Sequence, residues 1–509
     1  MEEKRPDYIV VSDFHMGEGI NPLTGKYSRL EDFFSDEEFS NFLAFLNDEK
    51  EKKGKPWHLI INGDLFDFLQ VTSLPSHKEA SEKGITITKN TSKYGLGTTV
   101  EETKWKLEKI IAGHPVFFSA LVNFVLNGNR VFITRGNHDV ELCYPEVQEL
   151  FLNRLKEKAA KSASSLSKID QNIVFLPWFY YEKGILYAEH GNQYDRANSF
   201  KYFLNPLLPE RFLGKKEKQI DLPVGSFFIR YFLNKVERVS PIADKMKNPA
   251  SYVNWVLRNR FFESWYLLKS YVPFFLRSLK MYQEFTQEEM KHIREEHLRL
   301  LEKIGVQTGL GEKVFKIDSL KEVPISKNKL RLALQLIRNP LKKAAAFVSF
   351  VISVLFGWAV FFTYITSLNI STHSKALILA FINLMILISA ISLLVYSLGR
   401  GTRKGSIHSL YSPQGDYFLR NRVKDIADII DVKYITMGHT HQEDIWKVPG
   451  KDVWYFNTGT WIPVFSEEDR VFRDERQLTF LKIEDGRAEL MKWDDRKRAP
   501  VRAIVLEDE

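Results

Sequence analysis

Five short clusters of polar residues have the composition of metal-binding or hydrolytic sites. They supply carboxylates, imidazoles and one side-chain amide, a donor set that suits divalent ions such as Zn, Mn or Fe. A single histidine of this kind would more often be an ordinary core or surface residue, so the recurrence favours one shared site. The clusters are Ser12-Asp13-Phe14-His15, Asn62-Gly63-Asp64-Leu65-Phe66-Asp67, Arg135-Gly136-Asn137-His138-Asp139, Ala188-Glu189-His190-Gly191 and Met437-Gly438-His439-Thr440-His441.

Each cluster directly follows a short apolar segment of the type that forms buried parallel strands. The first three of these segments are Tyr8 to Val11, Leu59 to Ile61 and Val131 to Ile133. Further strands are predicted at residues 173–175, 185–188, 434–437, 453–456, 478–483 and 488–493. Since parallel strands present their ligands beyond their carboxyl ends, the clusters are expected to converge there.

Helical patterns lie between the strands. Behind the candidate caps Ser35 and Asp36, apolar residues recur at i, i+3, i+4 and i+7: Phe39, Phe42, Leu43 and Leu46. Residues 116–126 and 417–430 are two more predicted helices, whereas the Ser-rich stretch Ser162 to Ser167 is interpreted as a surface loop. The alternation of strands and helices predicts an α/β fold.

Length and composition limit the class of protein. A chain of 509 residues with 44% hydrophobic residues has room for two or three domains with large cores. The single cysteine, Cys143, excludes an intramolecular disulfide and any cysteine-built zinc finger. The net charge of +8 is unevenly distributed, because residues 195–280 hold 16 Lys and Arg against 7 Asp and Glu. The same window is rich in aromatic residues and is predicted to be a helical cap, lying at a headgroup layer or burying its aromatics as core.

Two charge-free segments follow a basic stretch at residues 327–343. Residues 344–368 and 376–398 are each long enough to cross a bilayer, since 25 helical residues extend about 37 Å. The seven-residue link between them predicts a transmembrane hairpin, and the alternative is a buried helical hairpin of a soluble protein. Basic residues flank both ends of the pair, so the positive-inside rule predicts two spans with the catalytic domain in the cytoplasm.

The five clusters, in their order along the chain, resemble the calcineurin-like metallophosphoesterases. The resemblance covers roughly residues 7–194 and 417–495, and it implies an α/β sandwich with two metal ions. It assigns one ion to Asp13, His15 and His441. The other ion is assigned to Asn137, His190 and His439, and Asp64 is the bridging carboxylate.

The resemblance also implies the remaining roles in the site. His138 is expected to face the substrate, and Asp67 is expected to orient the imidazole of His138. Two metals on a shared carboxylate can clamp a phosphoryl group and activate water, with Mn as the first expectation and Zn or Fe as alternatives. Asn457, in Phe456-Asn457-Thr458-Gly459-Thr460, matches a segment that the family often places after the last cluster. Its assignment is substrate binding, and the alternative is an ordinary turn.

Within the family, the chain is similar to the hydrolases that cleave UDP-2,3-diacylglucosamine, which carry a helical lid inserted after the fourth cluster. It departs from them in having His138 where they have Arg, and in its much longer insertion. The expected substrate is a phospholipid or lipid-linked phosphoester at a membrane bilayer, and no nucleic acid is expected as partner. The rival interpretations are a nuclease or nucleotide phosphodiesterase of the same fold, and a non-catalytic membrane scaffold.

These patterns predict a split arrangement of domains. Residues 1–194 and 417–509 are expected to form the catalytic domain, and residues 195–340 the inserted cap. Residues 344–398 are the predicted hairpin and residues 399–416 a linker. The catalytic part is left acidic, because the positive charge is concentrated in the insertion and beside the hairpin.

Overall fold

The computed structural model describes residues 5–159, 163–209, 218–234, 286, 288–324, 357–381, 383, 417–468 and 471–503. The chain divides into two compact units. Unit 1 comprises Met1–Lys247, Phe285–Ile325 and Gln414–Glu509, and unit 2 comprises Asn248–Glu284 and Ser326–Pro413. All five polar clusters lie in unit 1.

A seven-stranded sheet forms one half of unit 1. Its strand order is β14-β13-β12-β1-β2-β3-β4, in which β1 to β4 run parallel and β12 pairs antiparallel with β1. The strands are β1 (Asp7–Val11), β2 (Trp57–Asn62), β3 (Arg130–Thr134), β4 (Ile173–Leu176), β12 (Thr479–Glu484), β13 (Arg487–Asp494) and β14 (Ala499–Arg502). The three apolar segments before the first clusters are thus neighbouring parallel strands, as predicted.

A five-stranded sheet forms the other half, in the order β5-β6-β7-β9-β8. Its central strands β6, β7 and β9 are parallel, so the last two clusters also leave parallel strands at their carboxyl ends. The strands are β5 (Tyr180–Glu182), β6 (Leu186–Ala188), β7 (Tyr434–Met437), β8 (Glu443–Lys447) and β9 (Trp454–Thr458). A separate hairpin is formed by β10 (Pro463–Glu468) and β11 (Val471–Arg476).

Alternate residues of each central strand enter different cores, as the period of two along a strand requires. Tyr8 and Val10 of β1 pack with Leu186 and Phe456 of the second sheet in a core between the two sheets. Ile9 and Val11 enter a larger core that includes the helices. The α/β prediction is therefore confirmed, with two sheets facing each other and helices packed outside.

Helices cover the sheets and bury their apolar faces. In α1 the four residues predicted for its inner face, Phe39, Phe42, Leu43 and Leu46, are all buried. The α-helices among the described residues of unit 1 are α1 (Asp36–Lys53), α2 (His77–Glu82), α3 (Lys89–Tyr94), α4 (Val100–Gly113), α5 (Pro115–Leu126), α6 (Pro145–Lys158), α7 (Ala163–Asn172), α8 (Val224–Phe228), α9 (Lys291–Thr308), α10 (Lys313–Ser319) and α11 (Tyr417–Ile429).

The described part of the predicted cap packs within unit 1. Gly225, in α8, donates its N–H to the carbonyl oxygen of Ala197 at 2.8 Å, and Ser226 donates its hydroxyl to the carbonyl oxygen of Asn137. After α10, the N–H of Glu322 donates to the carbonyl oxygen of Gln193. The insertion therefore contacts the loops that carry the third and fourth clusters. The boundaries of the predicted domains stay a prediction.

The described part of unit 2 is residues 357–381, called here the helical tip, together with residue 383. Residues 357–367 and 372–381 are helical, and Trp358 donates its indole N–H to Asn383 at 2.7 Å across the pair. Most of the two predicted spans lies outside the described residues. Within the described residues no single helix combines the length and apolar character needed to cross a membrane. Only α4 and α5 do so together, as a pair bent by 89°.

Candidate metal centre

The clusters converge because each leaves its strand at the same edge. Asp13 and His15 follow β1, Asp64 follows β2 and Asn137 follows β3. His190 follows β6, while His439 and His441 follow β7 of the other sheet. The N–H of His439 donates to both carboxylate oxygens of Asp13, at 3.2 and 3.1 Å, and so joins the two sheets.

Asp13, His15 and His441 form the first group of metal donors, called here the His441 group. Their donor atoms lie within 4.8 Å of one another. His441 Nε2 is 3.3 Å from Asp13 Oδ1 and 3.0 Å from His15 Nε2. Two imidazole nitrogens and a carboxylate at such distances are typical donors for a divalent cation.

Asp64, His190 and His439 form the second group, called here the His190 group, with donor atoms also within 4.8 Å of one another. His190 Nδ1 lies 3.0 Å from the carbonyl oxygen of Asn62, which can only accept. The proton of a neutral His190 therefore sits on Nδ1, and Nε2 keeps its lone pair for a metal. The amide oxygen of Asn137 is buried and has no hydrogen-bond partner among the described residues, as expected of a ligand atom.

Asp64 lies between the two groups. Its Oδ2 is 3.0 Å from His190 Nε2 and 3.7 Å from His15 Nε2. Its Oδ1 accepts the N–H of His138 at 2.8 Å. This position suits the bridging role that the family resemblance implied. The donors, together with the orphaned oxygen of Asn137, fit a pair of divalent cations.

Five of the candidate ligands have a strained backbone. Asp13, His15, Asp64, His439 and His441 all have positive φ, between 46° and 71°. Among the described non-glycine residues, only Leu478, Asp485 and Arg498 share this conformation. Each such residue costs about 1 to 3 kcal/mol and persists where the surroundings dictate it, often at functional sites. The strain therefore marks these loops independently of their residue types.

Glycines allow the two carboxylates to sit close to the loops around them. A Cβ at Gly136 would lie 2.1 Å from Asp64 Oδ1, and a Cβ at Gly438 would lie 2.3 Å from Asp13 Oδ2. Backbone at both positions therefore approaches a carboxylate more closely than any residue with a side chain could. Glycine is therefore required at these positions of the third and fifth clusters, because a larger side chain would clash with the carboxylate.

The charges of the site are strongly coupled. Burial alone would raise the pKa of Asp64, but His190 and His138 beside it hold that pKa well below its usual value. Conversely, burial alone would lower the pKa of His190, whereas Asp64 and Asp13 raise it to about 9. The carboxylates are therefore anionic at neutral pH, which suits cation binding.

His138 and Asp67 form a dyad beside the two groups. His138 Nδ1 lies 2.6 Å from Asp67 Oδ2, and 12% of the His138 side chain is exposed. Asp67 is itself fixed, since its Oδ1 accepts the N–H groups of Leu69 and Gln70. Burial lowers the pKa of His138, but Asp67 and Asp64 outweigh it and raise that pKa above its usual value. A cationic imidazole with its Nε2 left for a substrate can supply a proton or stabilise negative charge.

Asn457 lies close to the site without the exposure of a substrate ligand. It is fully buried, and its Nδ2 donates to the carbonyl oxygen of Gly438 at 3.1 Å and to Thr440 at 2.9 Å. Its Oδ1 accepts the N–H of Gly459. These are the contacts of a residue that positions the His439 loop, and its substrate-binding role stays a prediction.

Sequence reasoning missed three residues that hold the ligand loops. Asn62 accepts from His190 as described above, and Asp195 lies 3.1 Å from His439. Asp139 accepts the N–H of Gly136 at 2.7 Å and that of Leu65 at 2.8 Å, and so ties the third cluster to the second. Burial and the nearby Asp64 raise the pKa of Asp139 to about 6. Asn62 and Asp139 stood within recognised clusters, but nothing in the sequence linked Asp195 to a site.

Comparison with known families supports the same interpretation of the N-terminal half. Residues 7–228 match the family model described as calcineurin-like phosphoesterase. The matched range includes every candidate ligand up to His190, and His439 and His441 lie beyond it. No curated protein matches the chain.

Proposed function

Starting from a calcineurin-like phosphoesterase domain, which indicates a metal-dependent phosphoester hydrolase, we propose that this protein is anchored to a membrane by two spans. We further propose that its cytoplasmic catalytic domain cleaves a phosphoester or pyrophosphate bond of a lipid or lipid-linked nucleotide. The catalytic part of the proposal rests on one observation. The His138–Asp67 dyad lies beside two groups of metal donors, and the carboxylate of Asp64 lies between these groups.

The residues divide the chemistry between holding cations and handling a proton. Asp13, His15 and His441 would hold one divalent cation, and Asn137, His190 and His439 the other, with Asp64 between them. When bound, such a pair of ions polarises the phosphoryl oxygens and makes water a better nucleophile. The buried negative charges of Asp13 and Asp64 would stabilise the two bound cations.

His138 is placed to act on the leaving group. As water oxygen bonds to phosphorus, the bond from phosphorus to the leaving oxygen breaks. That oxygen takes the proton that His138 carries on Nε2, while the attacking water releases a proton to solvent and His138 regains one from solvent. Asp67 keeps the other ring nitrogen, Nδ1, protonated and orients the ring. Such proton transfer typically contributes about 10² to 10⁴ in rate.

The membrane part of the proposal is supported by the helical tip and by the sequence around it. The tip exposes large apolar side chains to an extent that is unusual for a folded surface: Val360 (55%), Phe362 (39%), Tyr364 (60%), Ile370 (40%), Leu377 (73%) and Phe381 (64%). It comprises the end of the first charge-free segment, the seven-residue link with Lys375 and the start of the second segment, and basic residues flank the pair of segments. A bilayer would cover such a surface, and a lipid substrate would then be available to the same chain.

Two measurements test the proposal. The full-length protein in detergent, freed of metal and then supplied with Mn²⁺, should hydrolyse a chromogenic phosphodiester. Lipid extracts of a deletion strain should accumulate a phosphorylated lipid that is absent from the wild type in mass spectra. A protein that binds two ions but hydrolyses nothing would support the scaffold interpretation. Salt-dependent cleavage of DNA with an unchanged lipid profile would support the nuclease interpretation.

A further inference from the structure

Asp195 contacts the metal-donor histidine of the fifth cluster from outside the ligand set. Its Oδ2 lies 3.1 Å from His439 Nε2, although the two residues are separated by 244 positions in the chain. Both side chains are largely buried, with 11% and 9% of their surface exposed. A carboxylate accepts only, so the proton of a neutral His439 sits on Nε2. Nδ1 is then the ring nitrogen that can face Asp64 and His190.

The Asp195 carboxylate is held in place by its own loop. Its Oδ1 accepts the N–H of Ala197 at 2.9 Å, and its Oδ2 accepts the side-chain amide of Asn198 at 2.8 Å. The loop is closed further by the amide of Asn192, which donates to the carbonyl oxygen of Asn198 at 3.1 Å. A Cβ at Gly225 would lie 2.0 Å from Asn198 Oδ1, so α8 packs directly on this loop. The carboxylate is therefore oriented before any ion binds.

The same arrangement occurs on the neighbouring ligand. The carbonyl oxygen of Asn62 holds His190 Nδ1 at 3.0 Å, so both histidines of the His190 group have their outer nitrogen fixed by an oxygen. Outer partners of this kind set the tautomer and ring orientation of a metal ligand. Their loss typically weakens metal binding about 10- to 100-fold.

We propose that Asp195 is a positioning residue of the metal centre, acting through His439. It selects the tautomer that leaves Nδ1 for the ion of the His190 group. Because Asp195 opens the segment that continues into the insertion, this contact also joins the insertion to the metal centre. The inference rests on the two-metal centre of the proposed function.

The test is a double-mutant cycle on metal affinity rather than on turnover alone. Metal-free wild type, D195N, H439Q and the D195N/H439Q double variant are each titrated with Mn²⁺ by calorimetry, and bound ions are counted. D195N should weaken one of the two ions about 10- to 100-fold and leave the other unchanged. In the H439Q background, adding D195N should cost nothing more, because the partner is already gone.

A second aspartate provides the matched control. Asp318 lies 3.4 Å from His297 Nε2, and its described partners, His297, Lys321 and Tyr194, are not candidate ligands, so D318N removes a similar contact without changing a direct neighbour of a ligand. It should leave both ions unchanged. Equal losses from D195N in the wild-type and H439Q backgrounds would overturn the inference, because Asp195 would then act on the fold in general. Unchanged Mn²⁺ binding by D195N would overturn it as well.

The cycle also separates this inference from the function. If the wild type binds two ions but hydrolyses no phosphoester, the function fails while the role of Asp195 can still be measured. If the wild type binds fewer than two ions, both fail. Thermal unfolding of the metal-free variants shows whether D195N folds. If it does not, N198A serves as the second variant, since it keeps the carboxylate but removes one of its two fixed donors and should weaken the same ion.

Discussion

The two halves of the metal centre differ in how firmly their histidines are held. In the His190 group both outer ring nitrogens lie 3.0 to 3.1 Å from a fixed oxygen, and His190 is only 1% exposed. In the His441 group the rings of His15 and His441 contact each other, with their Nε2 atoms 3.0 Å apart. The His441 side chain is 31% exposed. His15 Nδ1 is no closer than 3.6 Å to Asp67.

This difference indicates that the two ions would not be equivalent. Ligands that are oriented in advance bind with less loss of freedom, and burial limits exchange with water. We therefore expect the His190 group to hold its ion more tightly and the His441 group to exchange its ion more readily. The dyad of His138 and Asp67 touches the His441 group through His15, so the more open position lies on the side of the dyad.

Removal of Asp64, the carboxylate between the two groups, should abolish the binding of both ions and with it any difference in their affinity. In D64A the His190 group loses one of its donors and the His441 group loses the carboxylate that lies beside His15, so both ions should be lost. Turnover should then fall about 10⁴-fold or more, since several kcal/mol of metal-dependent stabilisation disappear. Elemental analysis of the purified variant, together with its rate on a phosphodiester, measures both effects. Full metal content with a full rate would remove Asp64 from the centre.

Loss of the His138–Asp67 dyad should leave the binding of both ions unchanged but should greatly reduce turnover. His138 contacts Asp64 through its backbone N–H, so H138A keeps that contact and should bind both ions normally. Turnover should fall about 10² to 10⁴-fold because the proton donor is gone. H292Q, at an exposed position of α9, is the matched control and should retain the wild-type rate. An H138A protein that loses an ion would show that His138 is a ligand instead.

Much of this centre could be predicted from sequence, because its signals are local. The strand ends before Asp13, Asp64 and Asn137 are each recorded in a few consecutive apolar and polar residues. The convergence of the clusters then follows from the general geometry of parallel strands. The ligand roles came from the family resemblance and stay a prediction, and the structure groups the six Asp and His side chains among them.

The parts that sequence reasoning missed depend on contacts between distant residues. The pairing of β12 with β1 joins residues more than 470 positions apart, and Asp195 reaches His439 across the insertion. Ser35 stands at the N-cap of α1, as predicted, but its hydroxyl donates to the carbonyl oxygen of Trp461 instead of capping the helix. The prediction of a surface loop at Ser162 to Ser167 is wrong for residues 163–167, which the structure describes as helical. Helix α7 begins at Ala163, and Ile169 further along it is fully buried.

A Mn²⁺ titration should reveal the inequality of the two groups directly. The metal-free wild type should show two binding phases whose dissociation constants differ about 10- to 100-fold. H190A should remove the tighter phase, whereas H441A should remove the weaker one. A single phase, or the reverse assignment, would mean that outer partners and burial do not decide the affinity here.

The smallest effect on the metal centre is expected from substitution of His114, which contacts the His441 group only indirectly, through Glu31. Glu31 accepts the N–H of Gly17, two residues after His15, and His114 lies 3.5 Å from Glu31 and 3.0 Å from Asp36. Burial lowers the pKa of His114, but Asp36 and Glu31 outweigh it and raise that pKa to about 9. A pKa above the unfolded value of about 6.5 means that the protonated imidazole stabilises the fold below pH 6.5. The stabilisation is lost as the pH rises through 9.

The comparison of wild type with H114Q isolates this contribution. In urea unfolding of the metal-free proteins, H114Q should be less stable by about 1 to 3 kcal/mol at pH 6, and the difference should vanish near pH 10. Turnover at pH 7 should change little, because His114 touches no ligand. If the Mn²⁺ phase of the His441 group weakens in H114Q while that of the His190 group does not, the more loosely held half of the centre depends on this support. A stability difference that stays constant from pH 6 to pH 10 would show that His114 contributes by packing and not by its charge.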